Sequence, residues 1–174
     1  MNLFVLDQCP IKAAEQNCDI HCNKIVLEAA QMLANAFPLS LLATAPKTKT
    51  GENRGYSYLH HPVSKWVLQT RGNFNWTLAH AFQLEAERLK TGYNPHFVVS
   101  FLNWVATHKA QANVPDGELT EFAVAINADQ RCRQVPGFNQ LPVIQQYQLY
   151  YNYDKPFATW KTRQKPVWFQ KIAA

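Results

Sequence analysis

Apolar residues recur at steps of three and four along much of the chain, the spacing of helices that bury one face. The first such stretch covers residues 11–37 and predicts one long helix, with Pro10 in its first turn and Pro38 as its stop. Five further stretches also predict helices: HPVSKWVLQT, NFNWTLAHAFQLEAERLKTG, PHFVVSFLNWVATHKA, ELTEFAVAIN and LPVIQQYQLYYNYD. Gly72 is expected to break the second helix and Gly92 to end the third.

Alternation of apolar and polar residues, the pattern of a strand, is confined to a few N-terminal residues. Residues 43–60 have no apolar period and are rich in Lys, Thr, Gly and Asn, which predicts a loop. No internal repeat or linker divides the chain. We therefore predict a mainly α fold, a single compact helical domain over residues 1–174 with a short extended N-terminal segment.

The composition is that of a globular protein, because 47% of the 174 residues are hydrophobic and 17% are charged. The longest apolar runs, at 37–45 and 97–106, are shorter than the ~20 residues of a membrane span, so no membrane partner is expected. Four cysteines do not form a disulfide framework in a chain of this length, and no signal peptide is recognisable. We expect a monomer in a reducing cytoplasm.

Basic residues exceed acidic ones by 17 to 12, and they cluster in two places. Residues 47–71 contain five basic residues and one acid, and residues 155–174 contain five basic residues, no acid and four Phe or Trp side chains. Basic groups contact phosphates and aromatic rings stack on unpaired bases, so this pattern favours a nucleic-acid partner. A solvated basic surface over a rim of aromatic packing accounts for the pattern equally well.

The first predicted helix also carries a polar stripe. His21 and Glu28 lie two turns apart on one face, about 10 Å along the axis, with Lys24 between them. Residues 3–6 are apolar and are expected to enter the core, which would hold the α-amine in a defined position. An α-amine titrates near ~7.7–8.0, well below lysine, and can form a Schiff base when a carboxylate assists.

The stretch CDIHCNKIVLE contains Asp-x-His followed by six residues and Glu, after a short apolar N-terminal segment, and KPVWFQK closes the chain. This combination resembles the bacteriophage pyrimidine-dimer DNA glycosylases, the ultraviolet-repair endonucleases, over roughly the first thirty and last ten residues. The stretches MNLFVLDQCP, CDIHCNK and HHPVSKW are also similar to a group of small phage proteins of unassigned function. Both resemblances imply a location in the cytoplasm of a phage-infected bacterial cell.

The glycosylase resemblance implies an all-α enzyme that binds ultraviolet-damaged duplex DNA and needs no cofactor. In that family the N-terminal amine attacks C1′ of the damaged nucleotide, and a helix carboxylate stabilises the sugar cation and assists strand cleavage. Carried over, Glu28 is the carboxylate, His21 the neighbouring imidazole and Lys24 a phosphate contact. The family's amine belongs to residue 2, which is Asn2 here; a chain that retains its first residue carries the amine on Met1.

Other residues are candidates for substrate contacts or for metal binding. Cys18 and Cys22, with His21 or Cys9, have zinc-ligand chemistry, but their apolar neighbours favour packing and no metal is predicted. His80 lies on an apolar face and is predicted to be a core histidine. The predicted phosphate or base contacts are His61, Arg71, Asn73, Trp76, Lys161, Arg163, Lys165 and Trp168.

The sequence thus favours a DNA glycosylase that acts on damaged pyrimidines and has possible AP-lyase activity. Two alternatives remain open. One is a base- or nucleotide-modifying enzyme in which His21 and Glu28 act as acid and base without a covalent step. The other is a non-catalytic phage nucleic-acid-binding protein whose basic aromatic tail, residues 155–174, is the contact surface.

Overall fold

The computed structural model describes residues 1–172, which form seven α-helices and no β-strand. Three 3-10 turns lie at Lys109–Gln111, Arg131–Gln134 and Phe138–Gln140. The mainly α prediction is confirmed. In chain order the helices are α1 (Pro10–Gln16), α2 (Asp19–Ala34), α3 (Leu39–Leu42), α4 (Pro62–Gln69), α5 (Arg71–Lys90), α6 (Val99–His108) and α7 (Val143–Asp154).

Helix α5 is the centre of the fold and packs against α1, α2, α4 and α6. Its face also holds the N-terminal segment, since the two ring nitrogens of His80 each lie 3.1 Å from a backbone oxygen, that of Leu3 and that of Pro10. His80 is fully buried, which confirms its prediction as a core histidine. Leu3 and Leu6 are each 1% exposed, so the first residues are part of the core.

The single helix predicted over residues 11–37 is wrong, because the chain leaves the helix at Asn17 and Cys18. Both residues have extended backbone angles, and the buried Asn17 side chain donates to the Ala13 oxygen at 2.9 Å, which caps the end of α1. The next helix then begins with the Asp19 N–H bound to the Thr159 oxygen at 3.0 Å. Contacts from distant parts of the chain therefore stabilise the break.

The helix predicted for the segment ELTEFAVAIN is not formed, so this prediction is also wrong. The segment runs as irregular chain along the surface of the core. Side chains from other elements satisfy its backbone groups. The Thr120 N–H donates to the Asn73 side chain at 2.9 Å, and the Ala125 N–H donates to the Tyr147 hydroxyl at 3.0 Å. The segment can therefore pack its apolar residues against the core without forming the hydrogen bonds of a helix.

Gly72 does not break a helix but lies in the first turn of α5, because the break falls two residues earlier, at Thr70. A Cβ at Gly72 would collide with the backbone carbon of Glu118, so the glycine permits close passage of the irregular segment. Gly92 has φ +87 directly after α5, as a helix-ending glycine requires. Within residues 1–172, no helix combines the length and apolarity needed to cross a bilayer.

Candidate active site

A cavity of about 530 Å³ opens where the N-terminal segment meets α2, α7 and the start of α4. Residues 124–127 of the irregular segment form one wall, and the first residues after α7 form another. The side chains that define its chemistry are Met1, Asn2, Phe4, His21, Lys24, Glu28, His61, Tyr150, Lys155 and Phe157. Six of the residues predicted from sequence therefore meet in one cavity.

The N-terminal backbone lies directly on the Glu28 carboxylate. The Asn2 N–H donates to Glu28 Oε2 at 2.8 Å, and the Met1 nitrogen lies 3.9 Å from the same oxygen. The Asn2 side chain fixes this arrangement, because its amide donates to the Ala125 oxygen at 2.8 Å and its oxygen accepts the Leu3 N–H at 2.9 Å. The amine and the carboxylate are therefore held together by a buried asparagine.

Phe4 completes the turn that delivers the N-terminus to the cavity. Its backbone has φ 45, a left-handed conformation that is uncommon for a residue with a side chain. The Phe4 N–H donates to the Asn2 side-chain oxygen at 3.0 Å, which supports this conformation. The Phe4 ring then stacks on His21, with centroids 4.1 Å apart and the planes 9° from parallel. Local strain of this kind concentrates at functional sites.

His21 is 5% exposed and its Nδ1 forms a hydrogen bond with the Tyr151 hydroxyl. Burial, and after it the positive charges of Lys155 and Lys24, lower the pKa of His21 to about 3. The imidazole is therefore neutral at physiological pH and has no proton to give as a general acid. Its chemistry in the cavity is that of a hydrogen-bond acceptor or a weak base.

Glu28 is the single carboxylate among the described residues that line the cavity. Lys24, Lys155 and the N-terminal amine line the same cavity. The Lys155 ammonium lies 3.9 Å from the centroid of the Tyr150 ring, and burial lowers its pKa. His61 Nδ1 accepts the Val63 N–H at 3.2 Å and thus caps α4; burial lowers the pKa of His61. The cavity suits a ligand that carries negative charge next to a planar or apolar group.

Three predicted substrate contacts have structural roles. The Arg71 guanidinium donates to backbone oxygens of residues 109, 112 and 114 at 2.6, 3.1 and 3.3 Å. Asn73 is fully buried and its amide donates to the Trp66 oxygen at 2.8 Å. Trp76 is 5% exposed and its Nε1 donates to the Gln8 oxygen at 2.7 Å. Burial removes Asn73 and Trp76 from the candidate contacts, whereas Arg71, whose side chain is 25% exposed, stays a prediction.

The basic aromatic tail contains one buried arginine, which is bound to the helices, and exposed lysines. The Arg163 side chain is 4% exposed and lies between Asp19 at 2.8 Å and Glu87 at 3.5 Å. Trp168 Nε1 donates to the Gln16 side chain, so Arg163 and Trp168 attach the tail to α1 and α2. Burial in these ion pairs corrects the prediction of Arg163 as a nucleic-acid contact, whereas Trp168 is half-buried and stays a prediction. Lys161 and Lys165 are exposed, and neither lines the cavity.

The two cysteines at and just before the start of α2 are packing residues. Cys18 and Cys22 are fully buried, and burial raises the pKa of the Cys22 thiol to about 12, far from the thiolate that zinc requires. No group of three or more His, Cys, Asp or Glu side chains is placed to hold a metal ion in the part of the chain that the structure describes.

Four of the side chains that define the chemistry of the cavity lie outside the set predicted from sequence: Phe4, Tyr150, Lys155 and Phe157. Phe4 is hidden in an apolar run, and Tyr150 in the Tyr-rich pattern of α7. Only Lys155 and Phe157 have a signal, their membership of the basic aromatic tail.

The chain matches no family model, no curated protein and no solved structure, so its function is inferred from this geometry.

Proposed function

We propose that this protein is a DNA glycosylase that acts on damaged pyrimidines in duplex DNA and cleaves the strand by AP-lyase chemistry. The observation that carries the proposal is the N-terminal nitrogen 3.9 Å from Glu28 Oε2 inside a cationic, partly aromatic cavity. An amine next to a carboxylate is the minimal equipment for Schiff-base chemistry on a sugar.

The reaction assigns one task to each group. The amine nitrogen bonds to C1′ while the bond from C1′ to the damaged base breaks, and the base leaves with the electron pair. Glu28 stands opposite the positive charge that develops on the sugar. It then takes the proton lost from C2′ as the phosphate on C3′ leaves, which cuts the strand.

The remaining cavity residues fit a nucleotide within a strand. Lys24, Lys155 and His61 can contact the phosphates on either side of the sugar. The rings of Phe4, Tyr150 and Phe157 offer apolar and stacking surface to the sugar or to an unpaired base. A cavity that binds phosphate and sugar in this way is consistent with abasic and damaged nucleotides alike.

A chain that begins at Met1 and one that begins at Asn2 both have an amine beside Glu28. With Met1 retained, the amine lies 3.9 Å from the carboxylate, and with Met1 removed the Asn2 nitrogen, already 2.8 Å away, becomes the amine. An added residue would move the amine outward by about 3.3–3.6 Å. The proposed chemistry therefore tolerates methionine removal but not extension.

Borohydride trapping on duplex DNA with one abasic site, and on irradiated duplex, tests the proposal. We would use three forms of the chain, which begin at Met1, at Asn2, or at a Gly-Ser extension before Met1. The first two should give a covalent adduct that mass spectrometry locates on the N-terminal residue. The extended form should trap at least 10²-fold more slowly, because small displacements of a reacting group have effects of about that size. Absence of an adduct with all three forms would refute the covalent mechanism.

A second candidate is a base- or nucleotide-modifying enzyme, favoured by the neutral His21 in the same cavity as Glu28. In that enzyme His21 would accept a proton and no covalent adduct would form. Chromatography of products from free nucleotides and from DNA distinguishes the two candidates.

A further inference from the structure

The Tyr151 hydroxyl lies between two partners at the back of the cavity, His21 Nδ1 and Asn17 Oδ1, the second at 2.9 Å. The orientation of the Asn17 amide is fixed by its other end. Its Nδ2 donates to the Ala13 oxygen at 2.9 Å and faces the Phe4 oxygen at 3.5 Å. Both of these partners are carbonyls, so the Asn17 oxygen is the atom that faces Tyr151.

The hydrogens of this chain of contacts can be counted. An amide oxygen only accepts, so the single Tyr151 hydroxyl hydrogen must go to Asn17. The Tyr151 oxygen is then left to accept, and the hydrogen between it and His21 belongs to Nδ1. The Cys18 backbone N–H donates to the second lone pair of the Tyr151 oxygen, which leaves this assignment unchanged. A neutral imidazole has one N–H, which leaves Nε2 unprotonated.

Nε2 of His21 forms no hydrogen bond within residues 1–172. It is also not sealed from solvent: the fully buried side-chain N and O atoms that lack a partner in this part of the chain are Ser64 Oγ, Trp66 Nε1 and Arg133 Nε. The His21 ring lines the cavity. It stacks on the Phe4 ring and makes an edge contact with the Phe157 ring. An unpartnered acceptor therefore faces the space in which a ligand would lie.

We propose that Tyr151 and Asn17 are positioning residues that hold His21 as the Nδ1–H tautomer, so that its Nε2 accepts a hydrogen bond from a ligand hydroxyl in the cavity. The other polar side chains around this space mostly donate: Lys24, Lys155 and the N-terminal amine are cations, and Glu28 already accepts the Asn2 N–H. The ligand that this set complements has an anionic group and a neighbouring hydroxyl, as a sugar phosphate has.

The identity of that hydroxyl rests on the proposed function. A nucleotide within a DNA strand has no free sugar hydroxyl, but Schiff-base formation opens the deoxyribose ring. The bonding pair of C1′–O4′ then moves to O4′, which takes a proton from the attached nitrogen and becomes a hydroxyl. We assign this O4′ hydroxyl to His21 Nε2, an interaction that exists only after the ring opens and therefore favours the open form.

Nitrogen-15 NMR of the histidine side chains tests the tautomer without any activity. In the wild-type protein at pH 7, His21 should have a protonated Nδ1 and an unprotonated Nε2. Tyr151→Phe removes the acceptor of Nδ1–H and should shift the population toward the Nε2–H tautomer. Tyr147→Phe is the matched control, because this equally buried α7 hydroxyl bonds to the Ala125 N–H and to no histidine. A wild-type spectrum with the proton on Nε2 overturns the proposal, whether or not the variants fold.

The ligand is tested with 2-deoxyribose 5-phosphate, whose open-chain form carries an aldehyde, a hydroxyl and a phosphate. Its binding should move the His21 Nε2 resonance in the direction of a hydrogen-bonded acceptor. Tyr151→Phe should weaken its affinity by about 5- to 10-fold, the usual effect of one neutral hydrogen bond. No binding, or binding without a change at Nε2, overturns the ligand assignment. If instead Nε2 responds but borohydride traps no adduct, the glycosylase mechanism fails and the acceptor site stands.

Discussion

Replacement of Glu28 by glutamine is the sharpest test of the proposed chemistry. Glutamine has almost the same shape, and its amide oxygen can still accept the Asn2 N–H that lies 2.8 Å from the carboxylate. What it removes is the negative charge opposite the N-terminal amine and the site that takes the C2′ proton. Loss of one preorganised electrostatic partner typically lowers a rate by about 10²–10³.

The stability effect depends on the two contacts at Oε2. A hydrogen bond to a charged acceptor is about 1 kcal/mol stronger than its neutral equivalent, and a partly exposed ion pair contributes about 0.5 kcal/mol. The Glu28 side chain is 14% exposed, so neither contact is fully screened. We expect Glu28→Gln to lower the free energy of unfolding by about 1–2 kcal/mol, which is a melting temperature lower by about 3–8 °C in a chain of this size.

The assay compares wild-type, Glu28→Gln and Glu121→Gln proteins in melting temperature, DNA affinity, borohydride trapping and cleavage of irradiated duplex. Glu121→Gln removes one negative charge at an exposed position outside the cavity and should behave as wild type. Normal trapping and cleavage by Glu28→Gln would remove this carboxylate from the mechanism. A fall of more than about 15 °C in melting temperature, well beyond what the two contacts explain, would make Glu28 a structural residue.

Three further changes have expected outcomes. Lys155→Gln should weaken DNA binding and lower the salt slope by about one unit, whereas Lys12→Gln, exposed on α1, should leave both unchanged. Asp19→Ala leaves the buried Arg163 without its 2.8 Å partner and should cost about 3 kcal/mol in urea unfolding. His21 has a pKa of about 3 when folded, so the unfolded chain binds more protons below pH 6.5; between pH 8 and pH 5 this residue should lower stability by about 2 kcal/mol, a loss that His21→Gln abolishes.

Each of these outcomes has a clear contrary result. Equal salt slopes for the two lysine variants would exclude the cavity as a phosphate site. An unchanged urea midpoint for Asp19→Ala would mean that the ion pair with Arg163 does not attach the tail to α2. Parallel stability curves of wild type and His21→Gln between pH 5 and 8 would contradict a buried neutral imidazole.

The helices that were predicted correctly are those whose start and stop signals lie in their own sequence. Pro62 begins α4, and Gly92 follows the last residues of α5. The break between α1 and α2 could not be predicted, because Asn17 continues the helical polar stripe and its break depends on Arg163 and Thr159, more than 140 residues away. Periodicity describes a face but not the partner that interrupts it.

Only the part of the candidate site that lies on α2 could be predicted from the sequence pattern. His21, Lys24 and Glu28 share a helix, so their spacing alone brings them to one face. Lys155 and Tyr151 reach the same place through the docking of α7, which no local pattern encodes. Conversely, polar and aromatic residues at the start of α5 looked like contacts for nucleic acid, but such side chains serve equally well as internal donors.

The burial of Asn2 has a consequence for the timing of synthesis. The group that holds the Asn2 side chain is made late: the Ala125 oxygen, which accepts its amide N–H, follows Asn2 by more than 120 residues in the chain. At about 5–20 residues per second, the nascent segment waits roughly six to twenty-five seconds for this partner. During that interval the segment is accessible to processing enzymes, and afterwards Asn2 is buried. We therefore expect any trimming or acetylation that decides which amine faces Glu28 to happen before this segment docks.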